Sequence, residues 1–155
     1  MRIARPVLSA LGLSTLVTLS GAVLAQGAPA AATSPWYSVA LSDSEEAFVR
    51  TDSIQLVGTQ VQLRAKENFL APRDAAKKGK TYQSTRTDYR LDCAQRKVAM
   101  LKTEAFAGSD LQGEVVQKAS RNERNLIWMD APRATVFGEI LDYGCKHAPA
   151  AAPAG

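Results

Sequence analysis

Histidine and cysteine are scarce in this chain of 155 residues, and their scarcity excludes most catalytic and metal chemistry. The single histidine, His147, lies next to a Pro/Ala-rich tail, so no ordered Ser–His–Asp arrangement can be built around it. Zinc usually needs several His or Cys ligands, and the chain has two cysteines, Cys93 and Cys145. We therefore predict a protein without catalytic residues, metal or cofactor. A carboxylate pair assembled by folding is the enzymatic alternative.

Charge is absent from residues 7–24, which follow a short basic start formed by Arg2 and Arg5. The small residue Ala25 ends this stretch, a pattern typical of a secretory signal peptide that is cleaved after it. A transmembrane anchor is the alternative, because about 18 charge-free residues approach the length of a spanning helix, but serine, threonine and glycine dilute the stretch. No cysteine follows the cleavage position to carry a lipid. We expect residues 1–25 to be a signal peptide, and the mature protein to be periplasmic or secreted without stable membrane insertion.

Two tracts rich in Ala, Pro and Gly flank the rest of the mature chain. Residues 26–34 and 148–155 have no large apolar side chains to bury, so we predict a flexible linker and a disordered tail. Residues 35–147 remain for a single β-rich domain, whose core is small enough to benefit from a cross-link.

Both cysteines lie in the part of the chain that export would retain. Thiols in an oxidising compartment tend to be oxidised, and two cysteines permit one intramolecular pairing, Cys93 with Cys145. A redox-active pair is the alternative, but it needs close spacing such as C-x-x-C, which the chain lacks. We therefore predict a structural disulfide between residues that are 52 positions apart.

Alternating apolar and polar residues predict a sheet through most of the domain. Val61, Leu63 and Ala65 have polar neighbours on both sides, which is the two-residue period of a half-buried strand. Strands are predicted at residues 36–40, 47–50, 60–66, 81–93, 97–107, 111–118 and 125–129.

The C-terminal segment predicts a helix over residues 134–143, where apolar side chains recur at helical spacing. Asp130 or Thr135 is the expected N-cap, and Gly144 is the expected stop. Cys145 would then lie at the end of the helix, so that the disulfide attaches the helix to the end of a central strand. The predicted fold class is all-β tending to α+β, a mostly antiparallel sheet followed by one helix.

Several short motifs follow one another along the predicted domain. They are Trp36 opening the first strand, the V-R-T-D-S-I element at 49–54, a strand at 61–63, the D-C-A-Q-R segment at 92–96, Trp128 before Pro132, and the terminal Cys145. Their order resembles the surface-adhesin E family of small secreted bacterial domains. Together the motifs extend over nearly all of the predicted domain.

The resemblance implies a six-stranded antiparallel sheet with a C-terminal helix fixed by the disulfide. It also implies adhesion, because the best-known member is a lipid-anchored adhesin that binds host matrix and plasma proteins. This chain departs from that member because it has no lipid-anchor cysteine.

Basic residues are concentrated between positions 64 and 102, where eleven of them are accompanied by four acidic residues, a net charge of +7. The densest part contains Arg73, Lys77, Lys78 and Lys80, which join two predicted strands in an exposed loop. These four residues are the candidate site for binding anions on acidic proteins, sulfated glycans or lipid headgroups. The same charge pattern is typical of a solvated loop whose lysines discourage edge pairing, and it favours that interpretation on its own. Nucleic acid is not an expected partner, because the patch lacks interleaved aromatic side chains.

Composition and resemblance together favour an exported, non-catalytic binding module of the bacterial cell envelope. A structural or stress-related periplasmic protein without an external partner is one alternative, and a small inhibitor or hydrolase is another. An unpaired edge strand would also allow a second copy to pair with the sheet, so a homodimer is a further prediction.

Overall fold

An antiparallel sheet with one helix across its inner face makes up residues 34–150, which are the residues described by the computed structural model. The strands are β1 (Trp36–Leu41), β2 (Glu45–Arg50), β3 (Gln55–Val57), β4 (Gln60–Asp74), β5 (Thr81–Asp92), β6 (Lys97–Phe106), β7 (Val115–Ser120) and β8 (Met129–Asp130), and the helix is α1 (Val136–Lys146). The predicted signal peptide, nearly all of the predicted linker and the last five residues of the predicted tail lie outside the described residues.

Eight strands fill six positions in the sheet. The order is β1-β2-β4-β5-β6-β7, and every pair is antiparallel. Strand β3 pairs with β4 on the side of β2, and β8 pairs with β6 on the side of β7, so each extends an existing position. The predicted fold class and the roughly six-stranded sheet are therefore confirmed, with β1 and β7 at the two edges.

The sheet has an apolar inner face and a charged outer face, because alternate residues of a strand point to opposite sides. On the inner face, Leu63 lies opposite Tyr89 and Val61 lies opposite Leu91, and all four are at most 2% exposed. Helix α1 covers them with Ile140 and Leu141, which are equally buried, so the core lies between one sheet face and one helix.

The disulfide is formed where predicted, between Cys93 and Cys145. Cys93 directly follows β5, and Cys145 lies in the last turn of α1, with 5.9 Å between the two Cα atoms. The bond therefore joins the C-terminal end of the helix to the end of a central strand.

Helix α1 begins and ends later than the sequence predicts. Thr135 is the N-cap, because its Oγ1 accepts a hydrogen bond from the backbone N–H of Gly138 at 3.1 Å, while Asp130 belongs to β8. The prediction that Gly144 stops the helix is wrong: this residue is buried inside α1, which continues through Lys146. Among the described residues, no helix is long and apolar enough to span a membrane.

The close approach of α1 to the sheet explains Gly144. A Cβ atom on this residue would lie 2.5 Å from Cδ2 of Leu63 and 2.6 Å from Cδ1 of Leu91, so a larger side chain would push the helix off the sheet. Glycine is thus required here for space rather than as a terminator.

Two predicted strands are also shifted. The strand predicted at 111–118 begins only at Val115, because Asp110, Leu111 and Gly113 have positive φ angles and extend the turn after β6. The strand predicted at 125–129 is reduced to Met129 and Asp130, and a short 3-10 turn precedes it. Strand β3 was not predicted. In the first two cases local turn geometry outweighs the apolar pattern, whereas β3 forms by pairing with β4.

Replacing Gly144 by alanine should destabilise the fold by about 1–3 kcal/mol, which is the usual cost of overpacking a core. Chemical denaturation with circular dichroism measures the change. Lys146→Ala, an exposed substitution on the same helix, should change stability by no more than about 0.5 kcal/mol. Equal stability of the Gly144→Ala variant and the wild type would contradict the close packing.

Removing the disulfide should weaken the attachment of α1. For a closed loop of 52 residues, the expected loss of unfolding free energy in Cys93→Ser is roughly 4 kcal/mol in the chain-entropy model. Amide hydrogen exchange should increase more in α1 than in β4 and β5, because the cross-link holds the helix directly. A Cys93→Ser variant as stable as the wild type would refute this.

Candidate binding surface

The predicted anion-binding residues lie in and beside the turn of the β4–β5 hairpin, which we call the hairpin tip (residues 75–80). Backbone hydrogen bonds from Ala75 N to Lys80 O (2.9 Å) and from Lys80 N to Lys77 O (3.1 Å) close the turn. Gly79 has a φ of +77°, which glycine adopts without strain. Lys77 and Lys78 are exposed there and form no ion pair with any residue that the structure describes.

Two of the four predicted residues are already engaged by carboxylates. Arg73 Nη2 lies 2.9 Å from Oε2 of Glu45, and its guanidinium lies 3.7 Å from the centre of the Phe69 ring. Lys80 pairs with Glu114 and lowers the pKa of that carboxyl below its ordinary value. The structure thus places the four residues in one hairpin. Of the four, Lys77 and Lys78 have no ion pair with any described residue.

Folding neutralises most of the basic segment. Eight of its eleven basic residues lie within ion-pair distance of a carboxylate, and six of the seven carboxylates come from outside the segment. The pairs are Arg64–Asp88, Lys66–Asp110, Arg73–Glu45, Lys80–Glu114, Arg86–Glu104, Arg90–Glu123, Arg96–Asp142 and Lys102–Glu104. A net charge counted along the sequence therefore overstates the charge of the folded surface.

The register of the sheet arranges charges in rows across the outer face. One row runs from Arg86 on β5 through Glu104 on β6 to Lys118 on β7. The next row runs from Arg64 on β4 through Asp88 on β5 to Lys102 on β6. Lys66 on β4 lies opposite Arg86 and continues the first row, but it is almost buried. We call the four more exposed cations of these rows, Arg64, Arg86, Lys102 and Lys118, the cationic band.

Each carboxylate within the cationic band is more shielded than the cations around it. Glu104 is 8% exposed, and it contacts Arg86, Lys102 (3.2 Å) and Lys118 (3.6 Å), whose side chains are 39%, 53% and 66% exposed. The hydrogen bond from Arg86 is the main cause of a lowered pKa of Glu104, to about 2, so this carboxyl stays ionised. Positive charge thus faces solvent while negative charge lies beneath it.

The second carboxylate of the band follows the same pattern. Asp88 is 21% exposed and accepts two hydrogen bonds from Arg64, at 2.6 and 3.1 Å from Nε and Nη2. Arg64 is 37% exposed. The band therefore presents four cations over two partly hidden carboxylates.

In two ion pairs beside the band the acidic side chain is exposed and the basic side chain is buried, the reverse of the arrangement in the band. Lys66 is almost buried beneath the exposed Asp110, in the turn after β6, and Arg90 is almost buried beneath the exposed Glu123, in the segment after β7. Arg90 also donates to Oε1 of Gln62 at 3.1 Å, and its buried Nε has no hydrogen-bond partner among the described residues. Asp110 therefore lies at the β4 end of the first row, and Glu123 lies on the far side of the second row, toward the end of β5.

A polar cavity of about 330 Å³ adjoins the β4 end of the cationic band. It is lined by residues 52–55 of the segment before β4, by residues 62–64 of β4 and by Asp88 of β5. Gln55 and Gln62 are opposite each other on β3 and β4, so their amides share the outer face. These groups can donate to and accept from hydroxyl groups.

A separate polar cluster lies on the inner face of the sheet, beneath the first turn of α1. The hydroxyl of Tyr89 donates to Oε1 of Glu67 at 2.7 Å, and burial raises the pKa of both groups. A cavity of about 240 Å³ beside them is lined by Glu45, Glu67, Arg73 and the start of α1. Among residues 34–150, no three His, Cys, Asp or Glu side chains are grouped as metal ligands.

The cationic band was missed in the sequence because its members come from four strands. The available signal was the alternation of charged residues at two-residue spacing, such as Arg86 and Asp88 on β5 and Lys102 and Glu104 on β6. Which strand lies beside which, and in what register, decides whether such charges meet.

Comparison with known proteins identifies the family. The model of the surface-adhesin protein E family matches residues 36–146. A structure of Haemophilus influenzae protein E is 14% identical to this chain and superimposes with a TM-score of 0.52. The match covers 73% of this chain and 85% of the Haemophilus influenzae chain. A second crystal form of that protein is 13% identical and has a TM-score of 0.49, with a match that covers 70% of this chain and 91% of the other.

No curated protein matches the chain in sequence. At 14% identity, the likeness to the first structure shows a shared fold and nothing further. The family model carries the assignment, because its match includes every strand of the sheet and the whole helix. The resemblance noted in the sequence is confirmed: the chain belongs to the surface-adhesin protein E family.

Proposed function

We propose that the protein is an exported, non-catalytic binding protein of the bacterial cell envelope, and that its hairpin tip contacts acidic protein surfaces. Membership of a surface-adhesin family is the observation that carries the proposal. Such a protein would work in the periplasm or outside the cell, where a disulfide persists.

The hairpin tip supports the choice of an acidic partner. Lys77 and Lys78 project from a turn at the end of two long strands, and neither is committed to a carboxylate within the described part of the chain. Arg73 and Lys80, which flank them, hold the base of the tip through Glu45 and Glu114. A pair of exposed ammonium groups on an ion-paired base is suited to electrostatic attraction of an acidic surface.

The alternatives predict different observations. A structural or stress-related periplasmic protein would have no external partner, so its loss would alter the envelope without altering adhesion. A small inhibitor or hydrolase would depend on a carboxylate such as Glu67, and its activity would be lost in Glu67→Gln but kept when the lysines are neutralised.

Pairing with a second copy is the remaining proposal about partners. Strands β1 and β7 form the edges of the sheet, and each has one row of backbone N–H and C=O groups not used within the sheet. An edge-to-edge homodimer would appear as a doubled mass in light scattering. A proline at Val116 would then disfavour it if β7 is the edge that pairs.

Neutralising the hairpin tip should weaken binding to an acidic polypeptide. We expect the Lys77→Ala/Lys78→Ala variant to bind immobilised polyglutamate on the order of tenfold more weakly than the wild type, since each basic residue near an anionic surface is worth about 1 kcal/mol. The difference should shrink at about 1 M salt, where charges are screened beyond roughly 3 Å.

A matched control keeps the same change in net charge. Lys97→Ala/Lys146→Ala removes two positive charges from the opposite end of the strands and should leave polyglutamate binding within about twofold of the wild type. Equal losses in the two double variants would show that net charge, and not the hairpin tip, governs binding.

A further inference from the structure

The outer face of the sheet carries a second positively charged surface that is independent of the hairpin tip. The cationic band runs across four neighbouring strands, from Lys118 on β7 to Arg64 on β4. Neighbouring strands are about 4.8 Å apart, so the band is roughly 14 Å long. A flat row of this length suits an extended chain of negative charges better than a single small anion.

The cations of the band are available to a ligand even though they are paired. Arg64 uses Nε and Nη2 on Asp88, and Arg86 uses Nη2 on Glu104, so each guanidinium keeps further N–H donors. Lys118 lies 3.6 Å from Glu104, a loose contact, and is the most exposed of the four. With four cations and two carboxylates, the band has a net charge of +2.

The acidic borders fix the direction in which a polyanion can lie. Asp110 and Glu123 are 61% and 68% exposed on opposite sides of the band. A negatively charged chain running along the strands would meet one or both of them. A chain running across the strands from Lys118 over Arg86 to Arg64 would stay over the cations and pass between the two acidic groups.

The cavity at the β4 end favours a hydroxyl-rich ligand. A chain that follows the band past Arg64 enters the space lined by Gln55, Gln62 and Asp52, whose carboxylate is paired with Arg50 at 2.7 Å. Their amides match the hydroxyl groups of a sugar, whereas the arginines of the band match the oxygens of a sulfate, which guanidinium groups bind through paired N–H donors.

We propose that the outer face of the sheet binds a sulfated polysaccharide, which lies across the strands with its sulfates on the cationic band and its sugar hydroxyls in the cavity beside Gln55 and Gln62. This site goes beyond the binding of acidic proteins at the hairpin tip, because the two surfaces share no residue. The ligand proposed for the outer face is a sulfated polysaccharide, and an acidic protein is the other ligand that the test must distinguish from it.

The test compares two double variants that lose the same charge. Full-length protein, exported from a bacterial host, is measured against an immobilised sulfated glycosaminoglycan, its desulfated form and polyglutamate. Lys102→Ala/Lys118→Ala should bind the sulfated chain on the order of tenfold more weakly than the wild type. Lys77→Ala/Lys78→Ala should bind it within about twofold of the wild type.

A neutral variant tests the cavity separately from charge. Gln55→Ala removes an exposed amide and leaves every charge in place. It should weaken binding to the sulfated glycosaminoglycan severalfold and leave polyglutamate binding unchanged. Circular dichroism and thermal unfolding establish that each variant is folded, which is expected because Gln55, Lys102 and Lys118 are exposed.

Several outcomes would overturn the proposal. These are an absence of binding to the sulfated chain, equal binding to its desulfated form, and equal loss in the two double variants. Polyglutamate binding that depends on Lys102 and Lys118 as strongly would assign the band to acidic proteins instead. Loss of polyglutamate binding in the hairpin variant supports the proposed function whatever the band does, so the two proposals fail separately.

Discussion

The contact of α1 with the sheet at Gly144 is the constraint on which the rest of the structure depends. At this point the helix backbone approaches Leu63 and Leu91 so closely that a Cβ atom would displace the Cδ atoms of both leucines. The disulfide directly beside it, at Cys145, fixes the same end of the helix to β5. The core of the domain lies between α1 and the inner face of the sheet, so this contact determines how closely the two sides of the core pack.

A core on one side of the sheet dictates what the other side must be. No helix of the described residues covers the outer face. Most of its side chains are charged or polar, while Trp36, Phe48 and Phe106 lie beneath the cations of Lys66 and Arg86. The register places opposite charges beside one another across β4 to β7. Glu104 illustrates the result: it lies almost buried among three cations, and the favourable pairing keeps it ionised. Basic residues are therefore concentrated in one part of the sequence because their acidic partners lie on strands and turns that are distant in sequence.

Local patterns predicted much of the fold. Two-residue alternation gave the central strands, the compartment argument gave the Cys93–Cys145 bond, and helical spacing gave α1. The end of the helix was misjudged because Gly144 is ambiguous: glycine serves both as a terminator and where two backbones must approach closely, and only the packing partner distinguishes the two uses. The late start of β7 depends on positive φ angles at Asp110 and Leu111, and neither residue type predicts such an angle from the sequence alone.

The candidate binding surfaces were less accessible to sequence reasoning. The hairpin tip was found as a run of lysines, but the pairing of Arg73 with Glu45, 28 residues away, depends on how β4 lies beside β2. The cationic band required the register of four strands. Contacts between residues far apart in sequence decide which charges remain exposed, and composition alone does not report them.

The one-sided core also separates two kinds of evolutionary pressure. Substitutions on the inner face must preserve the fit around Gly144, whereas exposed side chains of the outer face, such as Lys102 and Lys118, contribute little to that fit. The outer face can therefore diverge under selection for a partner while the scaffold persists. A fold shared at 14% identity is the kind of relationship that this division of labour permits.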